Sequence, residues 1–145
     1  MSTQVHEIIS LAIAVGLGAM VGLEREVNGK PAGLRTNILI CLGAAAFTII
    51  SKYLGTELGA GPGRMAAAIV TGVGFLGAGV LIHEGSGIHG LTTAASIWLV
   101  ASIGVACGAG LYLVAAVVTA MALFVLLCLS PITKRLHKKN HKENT

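Results

Sequence analysis

Apolar residues fall in five runs along this chain, at about residues 8–23, 34–54, 65–82, 91–107 and 111–129. Short stretches carrying glycine and charge part them. A helix needs about 20 residues to cross the hydrocarbon of a bilayer, with a range of about 17–25. Each run therefore predicts one membrane-spanning helix. The first, third and fourth are short and must borrow flanking residues or thin the bilayer locally. Gly104, Gly108 and Gly110 predict a tight turn between the last two runs rather than one long helix. The first run is expected to be a retained helix and not a cleaved leader. It lacks a basic leading segment, and Glu24 and Arg25 stand where small residues would be needed.

The pattern is written twice. Gly16, Gly18 and Gly22 lead into the polar turn Glu24-Arg25-Glu26, and Gly33-Leu34-Arg35-Thr36-Asn37 opens the next run. Gly72, Gly74, Gly77 and Gly79 lead into His83-Glu84, and Gly90-Leu91-Thr92-Thr93 opens the run after that. The offset is 56 between the glycines and 57 at the threonine. Each copy is a helical hairpin entered from the same side, so the copies are parallel in the membrane, related by an axis along its normal. The predicted fold class is all-α: a polytopic transmembrane helical bundle of about five spans, made of a duplicated parallel hairpin plus a fifth helix. Residues 1–132 form the membrane domain and 133–145 a basic cytoplasmic tail.

Composition agrees with lipid as the solvent. Of 145 residues, 54% are hydrophobic and 11% charged, where a soluble domain carries about 25% charged residues. Mean hydropathy is +0.84. Cys41, Cys107 and Cys128 lie inside apolar runs without pairing or metal spacing, and read as small hydrophobes.

Charge then orients the bundle. The two polar turns and the C-terminal tail share one side, which holds Arg25, Lys30, Arg35, Lys134, Arg135, Lys138, Lys139 and Lys142. The other side holds Lys52 and Arg64. The positive-inside rule puts the N-terminus outside and the C-terminus in the cytoplasm. The tail has no aromatic residue for base stacking, so it predicts contact with anionic lipid and not with nucleic acid.

Helices in a bilayer associate through close packing of small residues. Gly18 with Gly22, Gly74 with Ala78, and Gly104 with Gly108 are the expected helix-packing pairs. The glycine runs are not dinucleotide loops, since no strand precedes them. Trp98 is mid-span, and packing in the bundle or at a dimer seam is its expected role. The candidate functional cluster is Glu24, Arg25, Glu26, Arg35, Thr36, Asn37, His83, Glu84 and Thr93, with His89 nearby. Two readings stand. In one, Arg25 and Arg35 neutralise Glu24 and Glu84, Thr36 and Thr92 satisfy amides at helix starts, and Asn37 bonds to a neighbouring helix. In the other, the turns form a polar funnel in which Glu24 and Glu84 hold a hard cation. A proton or another ion is open to the same funnel, and among hard cations magnesium fits in particular, because it binds through one or two carboxylates while keeping several waters. His83 and His89 would then make the site pH-sensitive.

Four stretches carry a family resemblance: Gly22-Leu23-Glu24-Arg25-Glu26, Ala32-Gly33-Leu34-Arg35-Thr36-Asn37, Gly72-Val73-Gly74-Phe75-Leu76-Gly77-Ala78-Gly79 and Gly90-Leu91-Thr92-Thr93-Ala94-Ala95-Ser96-Ile97-Trp98. Together they resemble the signature of the MgtC/SapB family over roughly residues 8–129. The resemblance implies a bacterial inner-membrane protein with about five spans. It implies a role in magnesium homeostasis and growth at low magnesium, and in pathogens virulence and survival inside macrophages. It further implies regulation of membrane energetics through a partner such as the F-type ATP synthase or a cation transporter. Carried over by position, it stresses Glu24, Arg25, Arg35, Thr36, Asn37, Glu84 and Thr93. The best-known members continue into a soluble ACT-like domain, and this chain is expected to be a short form without it.

The sequence shows neither a nucleophile–base pair nor a nucleotide loop, so an enzyme is not expected. Five short glycine-rich helices leave little room for a private pore, so self-association into a dimer or larger assembly is. The leading expectation is a small membrane regulator tied to magnesium or membrane energetics. The alternative is a magnesium or other cation transporter or channel using cytoplasmic-side carboxylates.

Overall fold

A computed structural model describes residues 3–58, 63–83 and 90–143, with side chains at 3–55, 63–81 and 90–128. Among them are five helices: α1 (Thr3–Val27), α2 (Leu34–Leu58), α3 (Gly63–His83), α4 (Leu91–Ala109) and α5 (Tyr112–Glu143). The first four are long and apolar enough to cross a membrane, and α5 carries a shorter apolar segment, Tyr112–Cys128. The five expected runs are thus five helices. The helices outlast the apolar runs because polar residues can continue a helix beyond the hydrocarbon. Hence α2 reaches Leu58, and α5 passes through the basic residues instead of ending before them.

Two turns are set by glycine in the left-handed region. At the end of α1, Gly29 has φ 62°. The Lys30 amide donates to the Arg25 carbonyl and the Gly29 amide to that of Glu26, the paired bonds of a Schellman cap. Gly110 (φ 85°) ends α4 in the same way, through Leu111 to Ala106 and Gly110 to Cys107. That cap separates the fourth and fifth runs, as the glycines there predicted.

Helix α4 is the hub and packs against each of the other four. α1, α2 and α4 touch one another pairwise, α5 lies in the cleft between α1 and α4, and α3 leans on α4 and touches α2 lightly. α2 and α4 are parallel and very close. A Cβ built at Gly104 would collide with the Cys41 carbonyl oxygen, and one at Gly108 would stand 2.5 Å from that of Ala45. On the other flank of α2, a Cβ at Gly18 would stand 2.8 Å from the Cys41 Cβ, and one at Gly22 would stand 2.8 Å from the Leu34 Cα. Such contacts are how helices hold together where lipid is as apolar as their side chains. Ala14, Val21, Cys41, Ala45, Val100, Ile103, Cys107 and Ala115 fill the centre.

The hairpins are parallel, as the duplication predicted, but their packing register is not the glycine register. Ala14, Gly18 and Gly22 form the buried stripe of α1, and Ile69, Val73 and Gly77 form that of α3. The offset is therefore 55 and not 56. Gly74 and Ala78 are exposed, and a Cβ at Gly74 meets open space. They do not form a packing pair among the described residues. Gly77 takes that place, with Ala94 across from it at 3.6 Å from a built Cβ. Trp98 is likewise outside the bundle core, with 53% of its surface exposed.

Candidate functional site

The last turn of α1 meets the first turns of α2 and α4 at one end of the bundle. The chain enters the bundle there with charged groups still on its helix, so each must pair, bond or turn outward. Glu24 and Arg25 are both buried. The Arg25 guanidinium reaches across to α4, where Nη2 donates to the Thr93 hydroxyl at 3.3 Å. Its Nη1 stands 3.6 Å from Glu24 Oε2, an ion-pair contact. The other carboxylate oxygen of Glu24 accepts from Asn28 Nδ2 at 2.9 Å. A cation in the last turn of a helix also faces the negative end of its dipole, which suits Arg25 to this place. Glu24 Oε2 and Arg25 Nε have no hydrogen-bond partner despite burial.

Thr93 is held in turn by its own helix. It is 3% exposed, and its carbonyl accepts from the Ser96 hydroxyl at 2.8 Å. Gly90, with φ 88°, precedes α4 as an N-cap without a side-chain bond.

Asn37 is fully buried one turn into α2. Its Nδ2 donates to the carbonyls of Ala32 and Gly33, both at 2.8 Å. The amide therefore closes its own connection and does not bond to a neighbouring helix. Its Oδ1 is buried without a partner. Glu26 caps α2: the Leu34 amide donates to Glu26 Oε2 at 2.9 Å, a carboxylate at the positive end of a helix dipole. Gly33 makes the approach possible, because a Cβ there would collide with that same oxygen. The cap expected of Thr36 thus comes from Glu26.

The structure brings together Glu24, Arg25 and Thr93, and keeps Asn37 and Glu26 at the adjoining connection. It does not bring in Arg35, Thr36 or Thr92, which are exposed; helical rotation turns these positions away from the α1–α4 contact. Glu84 and His89 lie outside the described residues, as does the side chain of His83. Of the expected carboxylate pair only Glu24 lies among the described residues, and its oxygens face Asn28 and Arg25. Among the described residues no group of three His, Cys, Asp or Glu side chains is placed to hold a metal ion.

A second polar network, at the opposite end, was not anticipated from the sequence. The hydroxyls of Ser10 and Tyr112 lie 2.8 Å apart and join α1 to α5, while Ser10 also donates to the His6 carbonyl at 2.9 Å. The Tyr53 hydroxyl donates to Glu7 Oε1 at 2.5 Å, joining α2 to α1. No motif marks these residues, since each is a single polar position within or beside an apolar run.

A family model described as the MgtC family matches residues 11–135. A protein of Escherichia coli (strain K12) named "Putative magnesium transporter YhiD" is 44% identical over 140 residues, covering 92% of this chain and 65% of its own length. "Protein MgtC" of Brucella abortus (strain 2308) is 44% identical over 131 residues, covering 90% of this chain and 54% of its own. "Protein MgtC" of Salmonella typhimurium (strain LT2) is 43% identical over 131 residues, covering 90% and 55% respectively. The chain thus spans between about half and two thirds of the length of these relatives. No solved structure matches it.

Proposed function

The chain belongs to the MgtC family, and we propose that it is a non-enzymatic regulator in the bacterial inner membrane, linked to magnesium and membrane energetics. In this reading it acts on a partner membrane protein, such as an ATP synthase or a cation transporter, and carries no ion itself. The magnesium link rests on the name of the Escherichia coli relative. The end bearing Lys30 and Arg35 faces the cytoplasm, by the excess of basic residues there.

One observation carries the regulator reading: the buried charges close on one another. Glu24, Arg25 and Thr93 form a self-compensated knot between the two hairpins. A guanidinium beside Glu24 opposes the approach of a hard cation, which needs negatively charged oxygen. Below the knot the interior is packed with Val21, Cys41, Val100 and Ile103, all fully buried. A conducting path needs polar groups continuing across the bilayer. The outward polar residues of the same motif, Arg35 and Thr36, remain exposed and supply a contact surface for the partner. The second reading, a magnesium or other cation transporter using carboxylates at this end, is favoured by the name of that relative.

Two measurements on the same protein separate the readings. Proteoliposomes loaded with a magnesium-sensitive dye are expected to show no flux above empty liposomes. Expression in a host lacking its own family member is expected to support growth at low magnesium, and R35A to abolish that support while the protein still inserts and accumulates. Magnesium flux that is lost in E24Q would overturn the regulator reading.

A further inference from the structure

A groove of about 540 Å³ runs along the side of the bundle between α2 and α3. Its waist is small, with Gly43 and Ala44 on α2 and Ala68 and Gly72 on α3. A Cβ at Gly43 or Gly72 meets open space, so these glycines serve no close contact among the described residues. Gly18, Gly22, Gly104 and Gly108 all do.

The internal duplication says what kind of groove this is. It exchanges α1 with α3 and α2 with α4. α5 occupies the cleft between α1 and α4, and the same exchange carries that cleft onto the one between α3 and α2. Along the α3 wall the positions correspond. In the packing register of 55, the groove residues Met65, Ile69, Gly72 and Leu76 stand where α1 has Ser10, Ala14, Leu17 and Val21. Those α1 residues form the seat of α5. Ser10 bonds to Tyr112, Ala14 and Leu17 share a cluster with Ala115 and Val118, and Val21 lines one cavity with Val125 and Leu126. The fold therefore has two equivalent seats and one fifth helix.

We propose that the second seat receives α5 of another copy of this chain. Direction fits. In its own seat α5 starts beside the beginning of α1 and ends beside the beginning of α4, so it is parallel to α1 and antiparallel to α4. Copies inserted with the same orientation present α5 parallel to α3 and antiparallel to α2, as the second seat requires. The surface fits as well. The exposed side of α5 includes a helical stripe of Leu113, Val117, Met121, Phe124 and Cys128. Large side chains facing a glycine waist allow close helix packing in lipid. Because seat and stripe lie on opposite sides of the chain, the contact is head to tail and propagates into a ring or a row.

Cys128 makes this testable in the full chain in its native membrane. Leu76 matches Val21 in register, so it lies about one turn from Cys128 of the docked copy. A short bifunctional maleimide on L76C is expected to give a ladder of dimers, trimers and higher species. The ladder should vanish when C128S is added, and also with G72F, which fills the seat. G16F, at an open position on α1, should leave it intact. Cross-linking of the unsubstituted chain through Cys128 alone would mean that α5 faces α5, and would overturn the proposal. Monomer only, in L76C that is fully labelled by a monofunctional maleimide, would overturn it in favour of lipid covering the groove.

Discussion

Arg25 Nη2 donates to the Thr93 hydroxyl at 3.3 Å, joining the end of the first hairpin's outer helix to the start of the second hairpin's inner helix. It is a buried side-chain hydrogen bond that ties one hairpin to the other. Arg25 and Thr93 are each 3% exposed, so water does not replace the bond if it is lost. R25A should destabilise the protein by about 3–5 kcal/mol, because it leaves the Glu24 carboxylate buried without a compensating charge. R25A with E24Q should recover part of that loss. Unfolding in mixed micelles measures both, and a double variant no better than R25A would show that the ion pair is not the cause.

Glu26 and Gly33 act as a unit. The carboxylate reaches the Leu34 amide over a residue with no side chain. G33A should displace it and cost about 1 kcal/mol, the usual value of a lost helix cap. E26A should cost about the same for the same reason. The combined variant should be no worse than either alone, since both remove one interaction. Additive losses in denaturant titrations would mean that Gly33 has a separate role.

Two glycines of the second hairpin should respond in opposite ways. G104A forces a methyl group against the Cys41 backbone and must push α2 and α4 apart, a loss of about 1–3 kcal/mol or more for overpacking. G74A adds a methyl group to open space and should be neutral or favourable, as alanine is about 1 kcal/mol better than glycine within a helix in water. Midpoints of thermal unfolding in detergent would rank the two. Equal destabilisation would contradict the packing described for α3.

That contrast shows what the sequence does and does not disclose. Apolar run length foretells five helices, because spanning lipid sets a length that composition alone can meet. The parallel duplication is legible for a similar reason: two like hairpins separated by an even number of crossings must enter from the same side. Facing is harder. Matching glycine to glycine sets Gly74 opposite Gly18, whereas packing sets Val73 there, because a glycine records small size and not the side of the helix that meets a neighbour. The same rotation separates Arg25 from Arg35, which the sequence joins in one polar cluster. The Ser10–Tyr112 contact needs topology, since nothing local relates two residues 102 positions apart. Glu26 as a cap is recoverable only once Gly33 is known to clear its path.

Asn37 gives a graded test of the connection between α1 and α2. Its amide nitrogen is the donor for two carbonyls, those of Ala32 and Gly33, in a place without water. N37L keeps the branched shape, removes the unpartnered Oδ1, and leaves both carbonyls without that donor. An unsatisfied buried polar group costs about 1–3 kcal/mol, and losing the orphaned oxygen offsets part of this, so a net loss near the lower end is expected. N37D replaces the donor with oxygen facing oxygen and should be worse than N37L, although it is the closer isostere. Hydrogen exchange should rise first at Lys30 and Leu34, whose amides lie at either end of the loosened connection. If N37D were as stable as the parent chain and N37L were not, shape rather than the donated bonds would be what Asn37 supplies.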